Sequence, residues 1–103
     1  MTPLEITKVD RQRYRLSGEL DMATAPKLEE AMDPVARVNR GLVLELEDVT
    51  FIDSYGLRAL VQLSTRLNGS GPLVLAKVPD AVQRVLDIVG MQTLPGIQVR
   101  DDG

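Results

Sequence analysis

The chain has 103 residues, of which 44% are apolar and only 3% aromatic, and its 12 Lys and Arg against 15 Asp and Glu give a formal charge of −3. This balance suits one domain with an aliphatic core. No basic run is long enough to track a phosphate backbone, so no nucleic-acid partner is expected. Without cysteine or histidine, disulfides, thiolate or imidazole metal sites, and Ser-His or Cys-His catalysis are excluded.

Residues 4–9 alternate weakly between apolar and polar and read as a half-buried strand, with Pro3 favouring an edge position. Asp10-Arg11-Gln12 is a polar turn, and Tyr14 to Gly18 resumes as a second strand, antiparallel to the first. Gly18 to Ala23 is a connection. Thr24 reads as the N-cap of a helix with Pro26 in its first turn and Leu28, Ala31, Met32, Val35 and Val38 on its apolar face. Pro34 is expected to kink or split that helix, and Gly41 to cap it in the left-handed conformation.

Leu42, Val43, Leu44 and Leu46 form a short apolar strand. Phe51 to Gly56 reads as a turn into a second helix, whose apolar face is Leu57, Leu60, Val61, Ser64 and Leu67. Asn68 to Pro72 is a loop, and Leu73 to Val78 a strand. A third helix starts at Pro79-Asp80, shows Val82, Val85, Leu86 and Val89, and stops at Gly90. Ile97-Gln98-Val99 is a last short strand, and Asp101-Asp102-Gly103 is expected to fray.

Alternation of strands and helices implies parallel strands joined by right-handed crossovers. The expected fold is therefore a single α/β domain over residues 1–103. Its sheet has four to five strands, mostly parallel, with an antiparallel N-terminal edge strand. Each helix has one apolar stripe, which places the helices mainly on one face. Glu45 and Lys77 within the strands fit an uncovered far side. All C-terminal ends of parallel strands lie at one edge, so Asp21, the Asp53-Ser54 pair and Pro79-Asp80 should meet there.

The turn at Asp53-Ser54-Tyr55-Gly56 is the main chemical feature. A helix start has unpaired N–H groups and a partial positive charge, which suit a carboxylate or a phosphate attached to a hydroxyl. The simplest reading of Asp53 is a helix cap and of Asp21 an Asx turn. An acid/base role for the two lacks the histidine, pocket glycines or metal motif of a hydrolase. No catalytic residue, metal or cofactor is expected.

Leu16-Ser-Gly-Glu-Leu-Asp-Met-Ala-Thr-Ala-Pro26 and Val49-Thr-Phe-Ile-Asp-Ser-Tyr-Gly-Leu57 resemble the bacterial STAS domains that act as anti-sigma-factor antagonists, and Pro79 to Gly90 resembles the closing helix of that family. The resemblance implies a partner switch. The domain binds an anti-sigma factor that is also an ATP-dependent serine/threonine kinase, phosphorylation breaks the complex, and a phosphatase restores it. It implies partner-binding roles for Asp21, Met22, Thr24, Asp53, Ser54, Tyr55, Gly56 and Leu57. Family members carry the accepting hydroxyl at the position that Tyr55 holds here. Either Ser54 takes the phosphate in its place, or the domain binds without phosphorylation. STAS domains also brace the ATPases of membrane transporters, which is the alternative role. No segment is long enough to span a bilayer, and the start MTPLEITKVD lacks a signal-peptide pattern. A cytoplasmic location is expected, and the oligomeric state is left open.

Overall fold

A computed structural model describes residues 3–67 and 69–100. In chain order the elements are β1 (Glu5–Lys8), β2 (Arg13–Leu20), α1 (Ala25–Val38), β3 (Leu42–Ile52), α2 (Ser54–Leu67), β4 (Leu73–Ala76), α3 (Asp80–Val89), a single 3-10 turn (Met91–Thr93) and β5 (Ile97–Arg100). The sheet order is β1-β2-β3-β4-β5, with β1 antiparallel to β2 and the remaining pairs parallel. Each crossover from β2 onward steps one strand in the same direction. Right-handed connections of that kind place their helices on the same side of the sheet, and the expected architecture holds.

A single aliphatic core fills the space between sheet and helices. Tyr14, Leu44, Leu75 and Val99 stand in one row across four strands. Leu28 and Met32 of α1, Leu60 and Leu63 of α2, and Val82 and Leu86 of α3 close over it. Leu44, wholly removed from solvent, contributes about 2–3 kcal/mol by burial. Asp33 of α1 pairs with Arg37 and, across the helix interface, with Arg66 of α2 at 3.1 Å, which fixes how the two helices lie together.

The strands depart most from their expected bounds. β2 runs on to Leu20, through residues read as a connection, and β3 runs to Ile52, through residues read as a turn. The cause is two bulges in β3. Arg15 pairs Glu45 while Ser17 pairs Asp48, and Gly18 pairs Val49 while Glu19 pairs Phe51. Each inserts a residue and advances the inward-facing phase by one, so the buried set runs Leu42, Leu44, Leu46, then Val49, then Ile52. β4 ends at Ala76, before the expected Val78, and Lys77 takes a left-handed φ of 54°.

Helix α1 is continuous through Pro34. The missing N–H would have served the Glu30 carbonyl, and both residues are exposed, so water can serve it instead. Asn39, not Gly41, ends α1. Its backbone is extended and its side-chain amide donates to the Val35 carbonyl at 2.8 Å. Gly41 has a φ of 114° and meets the Pro72 carbonyl closely instead. Val38 and Val89, assigned to apolar faces, are exposed where their helices end. Gly90 caps α3 in the left-handed conformation, as expected. Asn68 and Asp101-Asp102-Gly103 lie outside the described residues.

On the side without helices, Glu45 is buried although it projects from the open face of the sheet. Arg13 and Arg15 from β2 reach it at 2.7 and 3.0 Å, and Lys77 lies 3.7 Å away. Their stems cover it. The hydrogen bond from Arg13, then that from Arg15 and the Lys77 charge, hold the Glu45 carboxyl below its ordinary value, against the opposing effect of burial.

Candidate interaction site at the start of helix α2

Asp53 follows β3 and caps α2. Its Oδ1 accepts the backbone N–H of Tyr55 at 2.9 Å and of Gly56 at 3.1 Å, and its carbonyl accepts that of Leu57 at 3.0 Å. These bonds satisfy donors that a helix start leaves unpaired. The other carboxylate oxygen accepts the N–H of Met22 at 3.3 Å, and the Asp53 N–H donates to the Leu20 carbonyl at 3.2 Å. One residue thus ties the connection after β2 to the one after β3, 31 positions later.

Asp21 organises its own loop. Its Oδ1 accepts the N–H groups of Ala23 and Thr24 at 2.9 and 3.1 Å, an Asx turn. Thr24 sits at the N-cap position of α1, but its hydroxyl makes no capping bond. It donates to the Glu19 carbonyl at 2.7 Å and accepts from the Asp21 N–H at 3.0 Å. The expected cap is replaced by a bond that closes the loop back onto β2. Thr24 is buried, so its contribution to any interface is the shape of this loop.

Gly56 is likewise buried. A Cβ there would stand 2.4 Å from the Leu20 carbonyl oxygen, so its bare backbone serves the packing of α2 on β2. Leu57 is half-buried against the core. Ser54, at the first helical position, is exposed, as are Met22 at 62% and Tyr55 at 49%.

Between the two helix starts lies a groove of about 340 Å³ lined by Met22, Pro26, Glu29, Tyr55, Arg58 and Gln62. Glu29, Arg58 and Gln62 had not been singled out. The helical spacing of Tyr55, Arg58 and Gln62 was the available signal, since positions 55, 58 and 62 share a face.

The geometry corrects two expectations. Asp53 already holds the N–H groups of Tyr55 and Gly56, so a phosphate on Ser54 would meet a carboxylate more than a free set of donors. The third loop also stands apart. Ala76, the last paired residue of β4, is level with Glu45, seven residues before Ile52, and among the described residues no hydrogen bond joins Asp80 to Asp21 or Asp53. Two connections form this edge, not three.

The model of the STAS domain matches residues 5–101. The chain belongs to the STAS domain family. It is 33% identical over 94 residues to the anti-sigma-B factor antagonist of Staphylococcus aureus (strain NCTC 8325 / PS 47), an alignment that covers 88% of this chain and 87% of that one. Among solved structures, the STAS fold matches an anti-sigma-factor antagonist domain protein from Planctomyces limnophilus with a TM-score of 0.77 at 16% identity, over 99% of this chain and 91% of that one. It also matches the Bacillus cell fate determinant SpoIIAA in its phosphorylated form, with a TM-score of 0.66 at 17% identity, over 93% and 89% of the two chains. Among the described residues no helix is long and apolar enough to cross a membrane.

Proposed function

We propose that this STAS domain is an anti-sigma-factor antagonist in the cytoplasm. It docks the edge formed by Asp21, Met22, Asp53, Ser54, Tyr55 and Leu57 onto an anti-sigma factor that is an ATP-dependent serine/threonine kinase, and phosphorylation of Ser54 releases it. The observation that carries the reading is the bridge from Asp53 to Met22, which holds an exposed hydroxyl and two exposed apolar side chains on one rigid rim. The similarity to the S. aureus antagonist over most of both chains supports an antagonist role ahead of transporter bracing.

In the proposed reaction the Ser54 hydroxyl oxygen bonds to the γ-phosphorus of ATP, the bond to the β-phosphate oxygen breaks, and ADP leaves. The kinase takes up the hydroxyl proton. The domain supplies the acceptor and no catalytic group, and a phosphatase reverses the modification. The phosphate adds about −1.5 to −2 charges beside Asp53. A binding loss of about 3 kcal/mol from that repulsion and the added bulk weakens the complex more than about a hundredfold. Tyr55 holds the neighbouring exposed position and anchors the interface through its ring.

Titration of the anti-sigma factor with wild type and Ser54→Asp tests this. The variant is expected to bind about a hundredfold more weakly and to melt at nearly the same temperature, because the new charge favours the helix dipole while it repels Asp53. Equal affinities would sink the switch. Intact mass after incubation with the kinase and ATP should rise by one phosphate, and should not rise for Ser54→Ala. Capture of a transporter ATPase in place of a kinase-like protein would support the other STAS role.

A further inference from the structure

Two charged side chains line the groove between the helix starts, Glu29 on the α1 wall and Arg58 on the α2 wall. Arg58 is exposed, and among the described residues it makes no hydrogen bond or ion pair. The other cations of these two helices are engaged. Lys27 donates to the Leu4 carbonyl, and Arg37 and Arg66 pair with Asp33.

The position of Arg58 on α2 gives it two destinations. Each residue turns an α-helix by about 100°, so Arg58 lies about 40° around the helix from Ser54 and about 60° from Tyr55, between the two. Its Cβ stands about 5–6 Å from that of Ser54, one turn earlier. Helical side chains tilt toward the N-terminus, which carries Arg58 back over the turn where Ser54 stands. A phosphate on Ser54 needs such a partner, because Asp53 already holds the N–H groups of Tyr55, Gly56 and Leu57. The guanidinium is always charged, and its planar fork fits two phosphate oxygens at once.

We propose that Arg58 is the receptor, within the same chain, of the phosphate on Ser54. This rests on the phosphorylation proposed above and gives it a second consequence. In the unmodified domain the guanidinium is free to take a carboxylate of the partner in the groove. On phosphorylation it closes on the phosphate, and the groove keeps Glu29 without its cation. The partner then loses a contact even where it does not touch Ser54.

The test uses the full chain with Ser54→phosphoserine encoded during translation, so that no kinase is needed. 31P NMR follows the phosphate through its second ionisation, near pH 6. A guanidinium partner favours the doubly charged form, so the midpoint should stand about half a pH unit or more higher with Arg58→Gln than without it, and Arg58→Lys should fall between. Asp21, Asp53 and Glu29 are present in every variant, and their repulsion cancels from the comparison. Coincident midpoints with and without Arg58→Gln would overturn the proposal, and so would an Arg58 Nε–H resonance that stays in place when Ser54 gains its phosphate. Titration of the anti-sigma factor reads the coupling. Phosphoserine should weaken binding by a factor about tenfold smaller in the Arg58→Gln background than in its absence, and equal factors would overturn the withdrawal of Arg58 from the groove. A partner indifferent to the phosphoserine while the midpoints stay apart would end the Ser54 switch and leave the Arg58 contact standing.

Discussion

Asp53 and Glu45 stand on the same stretch of chain, one within β3 and the other just past its end, and the protein uses their carboxylates in opposite ways. Glu45 accepts from charged side chains, and the cations around it more than neutralise it. Asp53 accepts only from backbone N–H groups, so its charge is shared with neutral donors and remains a charge. The result is one strand with an ion-paired carboxylate at its middle and a backbone-held carboxylate at its tip. The difference teaches that a carboxylate's partners, more than its presence, decide whether a surface attracts cations or anions. A phosphate added at Ser54 would deepen the acidity of the rim and leave the Glu45 cluster untouched.

The strongest way to break this comparison is to displace the rim and leave Glu45 alone. Gly56→Ala places a methyl 2.4 Å from the Leu20 carbonyl oxygen. It should cost about 3 kcal/mol by overpacking, even after Ala's better helix propensity. Chemical denaturation would read this, and loss of the Met22 N–H bond to Asp53 would show as faster amide exchange at Met22. Next in size is Glu45→Gln. Removing the charge from beneath Arg13, Arg15 and Lys77 should cost about 2 kcal/mol.

That variant also carries a pH signature. The folded protein holds Glu45 below its ordinary value of 4.5, so its contribution is complete above that value and is lost as pH falls through the depressed one. The stability gap between wild type and Glu45→Gln should therefore close as the solution is acidified below about pH 4.5. A gap that widens on acidification would contradict the assignment.

Asp53→Ala should cost about 1 kcal/mol through the lost cap and should weaken partner binding further by freeing the Met22 loop. The smallest effect sharpens the contrast most. Asp53→Asn keeps an oxygen for the Tyr55 and Gly56 N–H groups and should cost only about 0.5 kcal/mol or less, against about 2 kcal/mol for the matching amide at Glu45. Comparable losses at the two positions would show that Asp53 is also held by its charge.

Much of this protein could be read along the chain. The order of elements, the antiparallel first strand, the helices on one face, the caps at Asp53 and Gly90 and the exposure of Ser54 all depend on neighbours a few residues away. Local spacing and turn chemistry encode such features directly. The family resemblance of residues 16–26 and 49–57 was legible for the same reason. The errors arose where a distant segment decided the outcome. The alternation in β3 was lost at bulges that exist only in register with β2. Pro34 stayed in a helix because tertiary packing holds α1 on both sides of it. Thr24 turned from its cap to the Glu19 carbonyl.

The ion cluster around Glu45 is the largest thing the sequence hid. Its cations, Arg13 and Arg15 of β2 and Lys77 just after β4, are scattered over more than sixty positions of sequence. Periodicity fixes which side of a strand a residue takes, but only the pairing of strands fixes which residues become neighbours across it. Sequence alone therefore determined the fold and the helix start that carries Ser54. Tertiary structure decided which charges are spent on one another and which are left to meet a partner.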